Sequence, residues 1–215
     1  MKKTRVYQSL FASMLLLGTS AVAQAVDYEV TITNLTRSQV FSPLLVVSHS
    51  NDVRLFHVGD EASDELVAIA EGGDVGPMEA LLPDIAGVSD FANSGGPLPP
   101  GMSVSVVVEG RPITNISVLS MLVNTNDAFL ALNGASATIW QTVSARVPAY
   151  DAGSEENDEL CANIPGPACP GSPNGRVEEA GLIHIHNGIH GIGNLDMTAY
   201  DWRNPVADIT IKRMR

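Results

Sequence analysis

Apolar and polar residues alternate over residues 102–109 (MSVSVVVE), with Val107 the one departure. Successive side chains of an extended strand point to opposite faces, so this segment offers one face to a core and one to water. The same two-residue period runs over 28–34 (YEVTITN), where Val30 and Ile32 alternate with Thr31 and Thr33. Residues 43–49 (PLLVVSH), 116–123, 128–132, 181–186 (GLIHIH) and 206–212 (VADITIK) read as further strands, and 95–101 (GGPLPPG) as a loop. Many short strands separated by Gly, Pro and Asn turns predict an all-β domain, an antiparallel β-sandwich. One helix is expected over 61–71 (EASDELVAIAE), where Leu66, Ile69 and Ala70 keep helical spacing and Gly72-Gly73 supplies a stop. A second short helical or turn-rich piece is expected over 77–82. Residues 148–179 form a long acidic stretch, rich in Gly and Pro and without periodicity, which reads as a functional or tethered loop.

The first 25 residues carry Lys2, Lys3 and Arg5, then a short apolar run (LFASMLLL), then Ala23-Gln24-Ala25. That order is the pattern of a cleaved export segment, and its apolar part is too short to span a bilayer of about 30 Å. Residues 26–215 are then one domain in the periplasm or outside the cell. Without those three cations, nine basic residues of the chain's 12 face 24 acidic ones, a formal charge of −15. Such a surface repels nucleic acid, and no second apolar run is long enough for a transmembrane segment. Divalent cations are natural partners of clustered carboxylates, although acidic surfaces also serve solubility.

Cys161 and Cys169 bracket ANIPGPA, which cannot be helical. In an exported chain they are expected to form a disulfide, contributing about 2–3 kcal/mol through closure of the loop.

Three constellations could carry chemistry. Asp127 lies in the turn NTND, and Asp151 opens DAGSEENDE, in which Gly153 would let Asp151 and Glu155 approach one centre. Oxygen donors on flexible loops suit calcium; the same run also reads as a solvated acidic loop. His184 and His186 share one face of a strand, and Asn187-Gly188 makes a turn beyond which His190 could return to them. Three imidazoles at one point would suit copper or zinc; the alternative is a polar network with carboxylates such as Asp196 or Asp201. Around residues 200–206 (YDWRNPV), Arg203 could pair with a carboxylate and Trp202 could close the end of the core. Gly-x-Ser-x-Gly, His-Glu-x-x-His and phosphate-loop motifs are missing from the sequence.

Three stretches resemble the spondin N-terminal domain, the F-spondin-type module of extracellular matrix proteins. NTNDAF over 124–129 is similar to the family's Ser-Pro-Asp-Trp-Phe, with Ala128 where the family has Trp. YDAGSE over 150–155 is similar to Tyr-Asp-Ala-Gly-Thr-Asp, with Glu155 one methylene longer than the family's Asp. YDWRNPVADITI over 200–211 is similar to the closing strand. The resemblance implies a β-sandwich of the calcium-binding kind also found in synaptotagmin, with Asp127, Asp151 and Glu155 as calcium ligands. It implies adhesion and recognition of an extracellular or envelope ligand rather than catalysis. A transition-metal protein using His184, His186 and His190 is the alternative.

Overall fold

In a computed structural model describing residues 25–169 and 176–214, ten strands form two antiparallel sheets. The expected export segment lies outside the described residues, apart from Ala25. The elements run β1 (Val26–Asn34), β2 (Leu45–His49), α1 (Asp64–Gly72), α2 (Gly76–Leu81), β3 (Val88–Asn93), β4 (Ser103–Gly110) and β5 (Ile113–Met121). They continue with β6 (Ala128–Thr138), β7 (Val143–Val147), β8 (Ala149–Asp151), β9 (His184–Ile185), α3 (Met197–Tyr200) and β10 (Ala207–Arg213). One sheet has the order β4-β1-β10-β7 and the other β3-β2-β5-β6-β8-β9. The fold is the expected all-β sandwich.

The alternation in β1 and β4 does what its period requires. Val30 and Ile32 are buried, as are Val106 and Val108, and they meet Ile209 and Ile211 of β10 in the core between the sheets. The larger sheet is covered twice. Val46, Ile116, Val118 and Leu130 face the smaller sheet, whereas Leu45, Val47, Leu119 and Phe129 form a second core with Leu66 and Ile69 of α1 and with Met78. Burial on both faces explains why β2 and the start of β6 read as more continuous apolar runs than β1 and β4. Ser63 caps α1 through its side chain, accepting from the Leu66 N–H, and Gly73 closes the helix in the left-handed region at φ +65°. Burying each large side chain of that second core stabilises by about 1.5–3 kcal/mol, which fastens α1 over the sheet.

Several expectations change in the structure. The strand over 181–186 contracts to β9, because Gly181 N–H bonds to Gly153 and Ile183 pairs with the chain at Gly59 and Asp60. The aperiodic stretch from 148 contains β8, which continues the larger sheet directly into the acidic loop. Strands β3 and β7 were not legible in the sequence; both are edge strands with mixed exposure and weak alternation. The Cys161–Cys169 disulfide is present. Among the described residues no helix is long and apolar enough to cross a membrane.

Candidate functional site

The hairpin turn between β5 and β6 builds the acidic end of the sandwich. Thr125 Oγ1 donates to the Leu122 carbonyl and accepts from the Ala128 N–H, which fixes the turn from within. Asn124 holds the disulfide loop, accepting the Ala168 N–H at 3.0 Å. Asn126 reaches the other way and donates to Glu155 Oε1 (3.2 Å) and Asp158 Oδ1 (3.1 Å). The NTND turn thereby ties the whole loop after β8 to the sheet end.

Asp127 is fully buried, and its two oxygens fare differently. Oδ2 accepts from Ser154 N–H (2.9 Å), Glu155 N–H (3.1 Å) and Ser154 Oγ (3.3 Å). Oδ1 is equally buried and has no hydrogen-bond partner among the described residues. A buried acceptor without a partner costs about 1–3 kcal/mol, more when charged. Gly153 makes the approach of the loop possible. It sits at φ +67°, and a Cβ there would come within 2.6 Å of the Leu182 backbone nitrogen.

The electrostatics follow from this crowding. Burial first, and then the Asp151 charge, push the Asp127 carboxyl up to about 7, although the N–H groups of Ser154 and Glu155 oppose the shift. Burial likewise raises Glu155 to about 7; the charges of Glu71, Asp127 and Asp158 add to it, and the Asn126 amide opposes it. Glu71 lies on α1, far away in sequence, and its Oε1 is also buried without a partner among the described residues.

Asp151 is turned differently from the expected shared centre. Its Oδ1 accepts from Gly153 N–H (2.8 Å) and its Oδ2 from the Asn157 amide (2.6 Å). His184 and His186 place their Nε2 atoms 3.8 and 3.9 Å from that same Oδ2. The histidines and Asp151 therefore belong to one neighbourhood, not to separate parts of the domain. The reason is the pairing of β8 with β9, which sets Asp151 opposite His184.

His186 is buried in a polar network. Its Nδ1 accepts from the Gly188 N–H (2.9 Å), which leaves Nε2 as the protonated nitrogen donating to Asn157 Oδ1 (3.0 Å). Burial holds this imidazole down at about 4, so it is neutral at pH 7. Its ring lies 5.0 Å from that of Trp202, which is buried in the core as expected. Both nitrogens are engaged, so metal ligation would have to break one of these bonds. His184 is half-exposed and donates from Nδ1 to the Leu182 carbonyl, and His190 is exposed beyond the Gly188 turn. Asp201 and Asp196 do not bond the rings: Asp201 accepts the Ile189 N–H, and Asp196 caps α3. Arg203 pairs with Asp201 through one nitrogen only.

Among the described residues no three histidine, cysteine, aspartate or glutamate side chains already close around one point as a metal cage. Sequence reasoning missed Glu71, Asn126, Asn157 and Glu159 as parts of this end. Nothing distinguishes Glu71 from an ordinary exposed helix glutamate, and only the adjacency of Asn126 to Asp127 hinted at its role. The chain matches no protein-family model and no curated protein.

Proposed function

We propose that this chain is an exported, non-enzymatic binding or adhesion module whose loops hold a calcium ion at one end of the sandwich. Asp127 and Glu155 are the central ligands, with Asp151 beside them. The observation that carries the reading is the orphaned, fully buried Oδ1 of Asp127, set among carboxylates. A divalent cation would give that oxygen its missing partner and offset the repulsion that raises Asp127 and Glu155. An all-oxygen donor set on loops favours calcium, which accepts six to eight oxygens in loose geometry. Glu155 keeps one oxygen on Asn126, so its side chain would supply the other or release the amide. The spondin-type resemblance of the Asp-Ala-Gly loop supports the same ion and a role in recognition outside the cytoplasm.

Calcium bound only by the folded state would stabilise it by about 2.7 kcal/mol at a hundredfold excess over Kd. For a domain of this size that is a rise in Tm of roughly 5–10 °C between chelator and millimolar calcium. Asp127→Asn should remove most of the rise. A melting curve unchanged by calcium would contradict the reading.

A further inference from the structure

Beside the acidic end, α1 and the loop after β8 flank a cleft of ≈ 620 Å³ that is wide open to solvent. That is far more room than one ion needs and falls in the range of small-molecule sites. Among the described residues, Asp64 and Glu71 of α1, Asp74 beyond it and Glu155 opposite bring four carboxylates to its walls, against the one guanidinium of Arg176. Helix α1 ends at the cleft, at Gly72, so the partial negative charge of its last carbonyls adds to theirs. Its last turn contains no basic residue to answer that charge.

Two further observations point to the chemistry of an occupant. Glu155 is 2% exposed yet lines the cleft, and among the described residues only its Oε1 has a partner. Among the described residues Glu71 Oε1 is likewise buried with no partner, while Glu71 Oε2 is held at 3.2 Å by Arg176, which arrives from a distant segment. The cleft thus already receives one cation on an alkyl stem, at Glu71 Oε2. Val67 and Ala68 supply an apolar wall along which a methylene stem could lie.

We propose that this cleft binds a primary ammonium group carried on an alkyl stem, as found in a diamine or a lysine side chain. The ammonium donates to Glu71 and Glu155, and the stem rests on Val67 and Ala68. The site shares Glu155 with the proposed calcium site but does not need the ion, so it is tested in calcium-free protein.

The test is titration calorimetry at low ionic strength with 1,5-diaminopentane, with Nα-acetyl-lysine amide and with neutral 1-pentanol, all in the presence of chelator. Binding of either amine but not of pentanol is expected, and which amine binds tells a free diamine from a lysine side chain. Glu71→Gln should weaken binding about tenfold and Asp64→Asn less, each checked for an unchanged fold by circular dichroism. Arg176→Ala, which frees Glu71 Oε2, should tighten binding about three- to fivefold, the worth of a half-exposed ion pair. Because every titration is run in chelator, failure of the calcium reading does not touch this result. Absence of amine binding in both the native chain and Arg176→Ala, equal binding of pentanol, or indifference to Glu71→Gln would overturn the proposal.

Discussion

Asp127 and Glu159 are both buried carboxylates at the same end of the sandwich, and their surroundings are opposite. Glu159 accepts the His190 N–H on Oε1 and the Ile192 N–H on Oε2, so both oxygens hold the loop that follows β9. It does so from a left-handed backbone at φ +56°, unusual for a glutamate. Asp127 gathers three donors on one oxygen and, among the described residues, leaves the other bare. A carboxylate that only fastens a loop is saturated by it. One that fastens a loop and retains an empty buried oxygen has capacity left for a ligand.

The largest expected effect separates these roles directly. Glu159→Ala leaves two backbone N–H groups without their acceptor and should cost about 2–5 kcal/mol in urea unfolding. That loss should be the same in chelator and in calcium. A loss that calcium restores would place Glu159 in the ion site and break the comparison.

Next in size are opposite pH responses. Asp127 and Glu155 sit near 7 when folded, above their unfolded values of 3.8 and 4.5. The folded state therefore holds their protons more tightly. Their contribution is complete below about pH 4 and falls away as pH rises through 7, by a few kcal/mol in calcium-free protein. His186 runs the other way: its folded value of about 4 lies below the unfolded 6.5, so its contribution is present above pH 6.5 and is lost on acidification toward 4. Asp127→Asn should flatten the first slope and raise calcium-free stability at pH 8, where the native chain buries a bare carboxylate. If the variant is instead destabilised at pH 8, the Asp127 Oδ1 environment is not the electrostatic liability described here.

The contrast between the elements that were legible in the sequence and those that were not has the same physical root. The period-two runs of β1 and β4 and the capped, glycine-stopped α1 are local patterns, and each appears within a few residues of its expected place. The NTND turn and the Asp-Ala-Gly loop were legible because Asn, Asp and Gly have their own turn chemistry. What was not legible depends on pairing between distant segments. The β8–β9 register brings His184 and His186 to Asp151, the packing of α1 brings Glu71 to Glu155, and Asn157 bridges Asp151 to His186. Sequence spacing alone grouped Asp151 with Glu155 and the three histidines with one another, and did not show that His184 and His186 also meet Asp151.

A smaller effect should sort the histidines. His186→Ala leaves the Gly188 N–H and the Asn157 carbonyl oxygen unpaired beneath Trp202 and should cost about 1–3 kcal/mol. His184→Ala, at a half-exposed position, should change stability by less than about 0.5 kcal/mol. Neither should alter bound calcium. A change in zinc or copper content in either variant would restore the transition-metal reading.

The most direct test of the account is calcium titration of metal-free protein by calorimetry at pH 7, repeated in two buffers of different ionisation enthalpy. One calcium per chain is predicted, with protons released on binding, because Asp127 and Glu155 are part-protonated at that pH and ligate as carboxylates. Asp127→Asn should abolish both the heat and the proton release. Absence of calcium binding by the native chain, or binding that survives in Asp127→Asn, would contradict the claim that the empty Asp127 oxygen marks the ion site.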